Sequence, residues 1–317
     1  MRRLRLVPDH TNINFMRYAW FWVPFSIAVT VISIALVFTR GLNLGVDFRG
    51  GALIIASTPE HEDVGRFREV LTGLDFGEVA VTEVSDDSGQ GRFTVLMRLG
   101  ISDPDANPMT VVEEVRGALT QAFPGIQFLQ VDSVGSKVSS ELIGKGVLAV
   151  LLSVAGIMVY IWMRFEWQFA LGAAFSVLHD AIVTVGLFSL LQLEFNLTIV
   201  AAVLTVMGYS INDTVVIFDR VRELLRKYKK MPLPELMNLA LNETLSRTVM
   251  TSSTTLLALF AIFFFGGDVV HGFATAMIFG GVIVGTYSTI YVACALVLWL
   301  GVRRDWSAAD KTAPART

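Results

Sequence analysis

The residues best placed to do chemistry lie in VLTVMGYSINDTVVIFDRVRE, from Val203 to Glu223. Asp213 stands there in a run with no other charge back to Asn196. At ~1.5 Å rise per residue it lies roughly 9 Å inward of Asp219, where the polar boundary begins. A carboxylate at that depth costs ~2.5–3.5 kcal/mol on insertion scales unless something pairs with it. That cost predicts a working group, and the chemistry open to a buried acid is taking up and releasing a proton. Thr205, Tyr209 and Asp213, spaced i, i+4, i+8, share one helix face, with Asn212 adjoining and Gly208 leaving room for a neighbouring backbone. On the next apolar run Arg247 stands at the entrance, and Thr251 and Thr254–Thr255 continue its face. An arginine arm reaches inward far enough to meet a carboxylate two turns deep on an adjacent helix. Burial and a nearby guanidinium act on an aspartate in opposite senses, which leaves Asp213 poised to titrate. Hydroxyls both donate and accept, so the threonines can pass a proton on. A third run sets Ser176, Asp180 and Thr184 on one face beside His179, a second constellation of the same kind.

Each of these residues also has a plainer reading. Asp213 fits a static packing role bonded to Arg247 or to backbone, and Arg247 fits an arginine snorkelling to the surface. His179 and Asp180 fit a satisfied structural pair. Asp219, Arg220, Arg222 and Glu223 fit a solvated helix end. Gly281-x-x-x-Gly285 reads as helix packing. GVDFRGG, Gly45 to Gly51, lacks the Gly-Lys-Ser/Thr ending of a phosphate loop, so its glycines read as turn chemistry. There is no zincin helix, no Gly-x-Ser-x-Gly elbow and no dinucleotide fingerprint. The expectation is a protein that is not an enzyme and uses no cofactor or metal.

The elements that must position these groups are spans of a membrane. Of 317 residues 53% are hydrophobic and only 17% charged, too few charges for a soluble enzyme of this length. Gly41 to Glu141 holds 16 acidic and 7 basic residues while the whole chain carries −3, so the remainder is basic. That surplus gathers near the ends of apolar runs, where it sets orientation and gives no sign of nucleic-acid binding. The single cysteine, Cys294, supports neither a disulfide framework nor a cysteine metal site.

Residues 1–18 are basic and read as a cytoplasmic N-terminus before a retained first span at 19–39, too long and too poorly ended for a cleaved leader. Residues 40–142 form the long water-soluble stretch, on the outside. Within it Val46–Ala56 reads as a strand, Glu60–Leu74 as an amphipathic helix, and Glu78–Val84 with Arg92–Leu99 as a hairpin across Asp86-Asp87-Ser88-Gly89. Pro108–Phe123 is a second helix opened by Asn107-Pro108, and Gln127–Val134 a last strand. The order βαββαβ is that of ferredoxin-like domains. Five apolar runs follow within 143–302: Gly146–Met163, Phe169–Leu191, Leu197–Phe218, Thr248–Phe265 and about Phe273–Leu300. The basic loop at about 220–245 lies inside, with Glu223–Asn242 expected as amphipathic helices broken at Pro232 and Pro234. Loops Gln192–Asn196 and Gly266–Gly272 carry no Lys or Arg and lie outside, and residues 303–317 form a cytoplasmic tail, disordered from Ala308. The expected fold is an α-helical polytopic membrane protein of six transmembrane helices, with a small α+β ferredoxin-like domain between helices 1 and 2.

Five stretches carry a family resemblance: LRLVPDHTNINFMR at Leu4–Arg17, GVDFRGG at Gly45–Gly51, GYSINDTVVIFDRVRE at Gly208–Glu223, LSRTVMTSSTT at Leu245–Thr255 and FGGDVVHGF at Phe265–Phe273. Together they resemble the SecF-type chains of the SecD–SecF protein-export family, within the resistance-nodulation-division superfamily. The likeness runs from about Leu4 to Arg304, and the tail beyond departs from it. It implies half of a twelve-helix pseudo-symmetric unit in the bacterial inner membrane, completed by SecD. It implies work beside the SecYEG channel, with YajC and YidC, in which the proton-motive force draws unfolded preproteins into the periplasm after the ATPase SecA has acted. In the family the carboxylate of the GYSINDTVVIFDR motif and the arginine of the SRT motif serve proton transport. Here these are Asp213 and Arg247, with Thr251 joining the relay and a further carboxylate expected on SecD. Asn212, Tyr209, Asp180, His179 and Asp219 remain second-rank candidates. Two other functions compete: a small-molecule/proton antiporter subunit, for which an outer domain of this size leaves little pocket, and a passive assembly scaffold of the translocon.

Overall fold

The structure is a computed structural model that describes residue 8 and residues 11–74, 79–84, 93–100 and 108–302. The Asp86–Gly89 turn, Asn107, the tail from Arg303 and half of the basic N-terminal stretch lie outside the described residues. In chain order the elements are α1 (Ala19–Thr39), β1 (Asn43–Leu44), α2 (Val46–Arg49), β2 (Gly51–Thr58), α3 (Val64–Thr72), β3 (Val79–Val84), β4 (Phe93–Leu99), α4 (Pro108–Ala122) and β5 (Gln127–Val134). There follow α5 (Ser136–Arg164), α6 (Trp167–Leu191), β6 (Glu194–Phe195), α7 (Leu197–Lys227) and α8 (Leu233–Phe265). The last helix runs through α9 (Asp268–Ala276), α10 (Gly285–Ser288) and α11 (Cys294–Leu300), with wider π-turns at Met277–Val284 and Thr289–Ala293 between them. Among the described residues six helices are long and apolar enough to cross a membrane. The chain divides into two units: residues 1–42, 150–193 and 198–317 form one, and residues 43–149 with 194–197 the other.

In the helical unit α6 is the most buried span, and α1, α5, α7 and the last helix pack against it. Gly186 admits α1: a Cβ there would meet Ser33 Cβ at 2.3 Å and its Cα at 2.8 Å. Gly280 does the same for the last helix against Thr184, whose Oγ1 would lie 2.0 Å from an added Cβ. These are small-residue contacts of the sort that hold helices together where lipid removes any hydrophobic drive. The outward faces of α1, α5 and α8 stay apolar and exposed, with Phe38, Leu152, Leu257 and Phe265 among them.

The inner loop departs from expectation. Instead of separate surface helices, its two arms are continuations of α7 and α8, and the chain leaves helix only at about 228–232. Pro232 takes the N-cap position of α8 and Pro234 sits in its first turn, where a missing N–H removes no helix bond. The arms bury Phe218, Val221, Leu224 and Leu225 against Leu236, Met237, Ala240 and Leu241. Asn238 and Asn242 then fasten the N-terminal segment: Asn238 Oδ1 accepts from Met16 N at 2.9 Å, and Asn242 Oδ1 from Ile13 N at 2.8 Å.

The second unit is a four-stranded antiparallel sheet in the order β3-β4-β2-β5, the ferredoxin-like arrangement, covered by α3 and α4. Its core joins Ile54, Val95 and Met97 of the sheet to Phe67, Val115 and Leu119 of the helices, and the Phe67 and Phe123 rings stack at 3.9 Å. The expected helix Glu60–Leu74 is shorter, because Asp63 caps it by accepting from Gly65 N at 2.9 Å.

Val46–Ala56, expected as one strand, is instead the helical turn α2 followed by β2. The break falls at Gly50 and Gly51, with φ of 75° and 143°. At Gly51 a Cβ would lie 2.2 Å from the carbonyl oxygen of Leu99, and backbone cannot step aside as a side-chain tip can. Gly51→Ala is therefore expected to cost about 1–3 kcal/mol from backbone conformation alone, and the clash adds to it. Limited proteolysis of the full chain checks this, since cutting between β1 and β5 should accelerate.

A second feature went unforeseen. The link from α6 to α7, expected as a plain loop, forms β6 and pairs in parallel with β1, Asn43 opposite Glu194 and Leu44 opposite Phe195. GVDFRGG holds that link in place. Gly45 N donates to Phe195 O at 2.9 Å, Asp47 Oδ2 accepts from Leu197 N at 2.9 Å at the start of α7, and Phe48 packs on Phe195. Arg98 and Glu194 close the arrangement with an ion pair.

Candidate functional site

α7 carries Asp213 to a buried position, 5% exposed. The carboxyl lines a cavity of about 380 Å³ between α7, α8 and the last helix, where Thr244, Thr248, Ser252, Ser253, Thr286 and Thr289 contribute hydroxyls. Thr289 continues the polar lining into the core through a 2.9 Å hydrogen bond with Thr214. Among the described residues Asp213 accepts no hydrogen bond and has no ion-pair partner within 4.0 Å. The charge acting on it is that of Arg247, felt at longer range. Arg247 itself is exposed.

The expected relay is thus only partly gathered. Arg247 lies within electrostatic reach of Asp213 without contact. Thr251 faces its own helix, bonded back to Arg247 O at 3.1 Å and Thr248 O at 3.0 Å, and is not part of the cavity wall. The hydroxyl stripe that does face Asp213 is Thr244, Thr248 and Ser252. Its i, i+4, i+8 spacing was available in the sequence, rotated by one residue from the face chosen there. On α7, which is continuous helix through this stretch, Thr205 and Asn212 are exposed while Asp213 is buried. Tyr209 has a buried hydroxyl without a hydrogen-bond partner among the described residues. Gly208, expected to admit a neighbour, has open space where its Cβ would be. Gly285 does admit one, since an added Cβ would lie 3.2 Å from Ser210 Cβ.

Asp180 is the better-connected acid. It is 0% exposed, and its Oδ2 accepts from Ser210 Oγ of α7 at 2.5 Å and from Ser288 Oγ of α10 at 2.8 Å. Its Oδ1 faces His179 Nδ1 at 3.0 Å, and Ser176 Oγ donates to Ser288 Oγ at 3.0 Å. Three helices therefore meet on one carboxyl group. Thr184 takes no part, its hydroxyl being given to the Asp180 backbone oxygen at 2.6 Å.

Asp219 lies on the exposed part of α7, where Arg164 Nη2 reaches its Oδ1 at 3.3 Å. Arg220 is held between Glu223 and Glu243, the latter at 2.5 Å. This is the solvated helix end of the plainer reading. Among the described residues no three His, Cys, Asp or Glu side chains group to hold a metal ion.

Among the described residues, six long apolar helices with a ferredoxin-like domain inserted after the first define a multi-pass membrane protein. Comparison with known proteins narrows the class. Residues 114–303 match the C-terminal region of the protein export membrane proteins SecD/SecF, and residues 35–57 the SecD/SecF GG motif. The chain is 49% identical to protein translocase subunit SecF of Ketogulonicigenium vulgare over 99% of this chain and 97% of that protein. It is 49% identical to that of Cereibacter sphaeroides over 98% of this chain and 96% of that protein. Among solved structures it resembles SecDF, a translocon-associated membrane protein from Thermus thermophilus, with TM-score 0.79 and 34% identity over 93% of this chain. A SecDF structure in the super-membrane-facing form matches with TM-score 0.67 and 33% identity over 98% of this chain. The chain spans 39% and 41% of those SecDF chains. The chain belongs to the SecD/SecF family of protein-export membrane proteins, on its SecF side, as a protein translocase subunit.

Proposed function

We propose that the chain pairs with a SecD-type partner in the inner membrane, both termini cytoplasmic, and uses the proton-motive force to drive late steps of preprotein translocation. The observation that carries this reading is Asp213, a buried carboxyl that lines a largely apolar cavity dotted with threonine and serine hydroxyls and is left without a hydrogen-bond partner among the described residues. A group so placed is free to gain a proton without first breaking a bond. The SecDF likeness over two-fifths of those longer chains supports a SecD-type partner that completes the helical unit and supplies a further carboxylate. The proton gradient takes the place of a cofactor, and SecYEG, YajC and YidC are the expected neighbours.

Energy sets the scale. One charge crossing the field yields ~2.3 kcal/mol per 100 mV, and each unit of pH gradient ~1.4 kcal/mol. Inverting a two-state equilibrium from 1:99 to 99:1 takes ~5.5 kcal/mol. A single proton therefore biases a rocking motion strongly without inverting it alone. GVDFRGG holds the entry to α7, the helix that carries Asp213, and so provides a handle for that motion. The test is proton uptake by the reconstituted complex with and without Asp213→Asn.

A further inference from the structure

Among the described residues the polar node on α6 has no cation to balance it except its own histidine. Every element packed against the Asp180 carboxyl can be named. α6 brings the imidazole of His179, and α7 brings only the hydroxyl of Ser210. The last helix brings the hydroxyl of Ser288 and, farther off, the phenol of Tyr287, while α1 reaches it only through Ser26, which bonds Tyr287. Among the described residues no lysine or arginine lies within 4.0 Å of it or acts on it. An ionised carboxyl beside a neutral imidazole would leave a lone negative charge in the dry centre of three helices. Proteins meet that situation by pairing the charge or by holding a proton.

We infer that His179 and Asp180 form a second proton-binding centre, separate from Asp213, in which the pair holds one proton between imidazole and carboxyl. The pair is neutral in either arrangement, imidazolium against carboxylate or imidazole against carboxylic acid. Both arrangements keep the His179 Nδ1 contact and the two serine hydrogen bonds. His179 is also the member of the pair that reaches an edge. It lines a groove of about 910 Å³ between α1, α6 and α11, together with Ser26 and Thr30. Its Nε2 is buried and has no hydrogen-bond partner among the described residues, so it is the ring nitrogen left open to take or release a proton. Ser210 lies one turn before Asp213 and Thr214 on α7, so losing this proton sets an anion against the helix that carries Asp213. The π-turns on both sides of Gly285–Ser288 give the last helix room to readjust its register there. None of this depends on Asp213 being a relay.

The test is magnetic resonance on the full chain in lipid nanodiscs, labelled with ¹⁵N histidine and ¹³C aspartate. The chain has 4 histidines, so the signals lost in His179→Gln identify that ring, and the signal lost in Asp180→Asn identifies that carboxyl. Should Asp180→Asn not fold, the ¹⁵N–¹³C coupling across the close pair in the unmutated chain makes the same assignment. At neutral pH the expected result is either a doubly protonated His179 beside an ionised Asp180, or a singly protonated ring beside a carboxylic acid. Raising the pH should remove that proton with changes at both residues together, and equally in Asp213→Asn. A singly protonated ring beside an ionised carboxyl at neutral pH overturns the proposal. So does a transition that vanishes in Asp213→Asn, because the pair would then merely report on Asp213.

Discussion

Replacing Asp213 with asparagine is expected to leave the helical unit assembled and to bring proton uptake by the reconstituted complex down to that of protein-free liposomes. The two side chains have nearly the same shape, so the walls of the Asp213 cavity need not move. Membrane insertion should improve, because a carboxylate at that depth costs ~2.5–3.5 kcal/mol on insertion scales and an amide carries no charge. What the variant loses is any change of charge with pH. Force-dependent preprotein export should fall to the level seen when the proton gradient is collapsed, while the ATP-driven portion continues. Asp213→Glu should retain part of the activity, since a titratable group stays in the cavity one methylene longer. That contrast separates titration from packing. Export in Asp213→Asn that still responds to the gradient would refute the relay and leave the chain a scaffold, and unchanged proton uptake would do the same.

How much of this could be read in advance depended on how local the cause was. β5 was legible to the residue because a short run with Phe128, Val131 and Val134, bounded by Pro124-Gly125 and Gly135, marks a strand without reference to any other part of the chain. The turn from α2 to β2 was not, because it depends on Gly51 lying against the Leu99 carbonyl, a contact between segments far apart in sequence. β6 is two residues long and carries no periodicity at all, so its pairing with β1 leaves no trace in the sequence. The arms of α7 and α8 read as separate helices because proline usually breaks helix, whereas here each proline falls at a start. At the site the same division holds. Asp213 could be found from depth alone. The hydroxyls around it come from α8 and the last helix, and choosing the face of α8 required knowing which side meets α7, which puts Thr248 and Ser252 on the cavity wall and Thr251 beside it. Asp180 ranked second because two of its partners, Ser210 and Ser288, are 30 and 108 residues away.

The second large effect is expected at Asp180, and it is one of stability. Asp180→Leu keeps the branch point with two bulkier methyls and removes the acceptor on which three helices converge. Ser288 keeps an alternative, since its hydroxyl already lies 3.1 Å from Gly285 O, and Ser210 can turn to the carbonyl a turn earlier. His179 has no such alternative in the described surroundings, because its Nε2 is already without a partner. Breaking a buried pair by removing one member typically costs about 3–5 kcal/mol, since the other is left uncompensated. Asp180→Asn should cost far less, because an amide still accepts from both serines and can donate to Nδ1. The double variant Asp180→Leu/His179→Leu should recover much of the loss, as apolar pairs often replace buried polar ones with little penalty. Thermal unfolding of the full chain in one detergent, read across the three variants, gives the ranking directly. If Asp180→Leu alone unfolds no earlier than Asp180→Asn, the node does not hold α6, α7 and the last helix together, and their packing rests on glycine contacts such as Gly186 on Ser33 and Gly280 on Thr184.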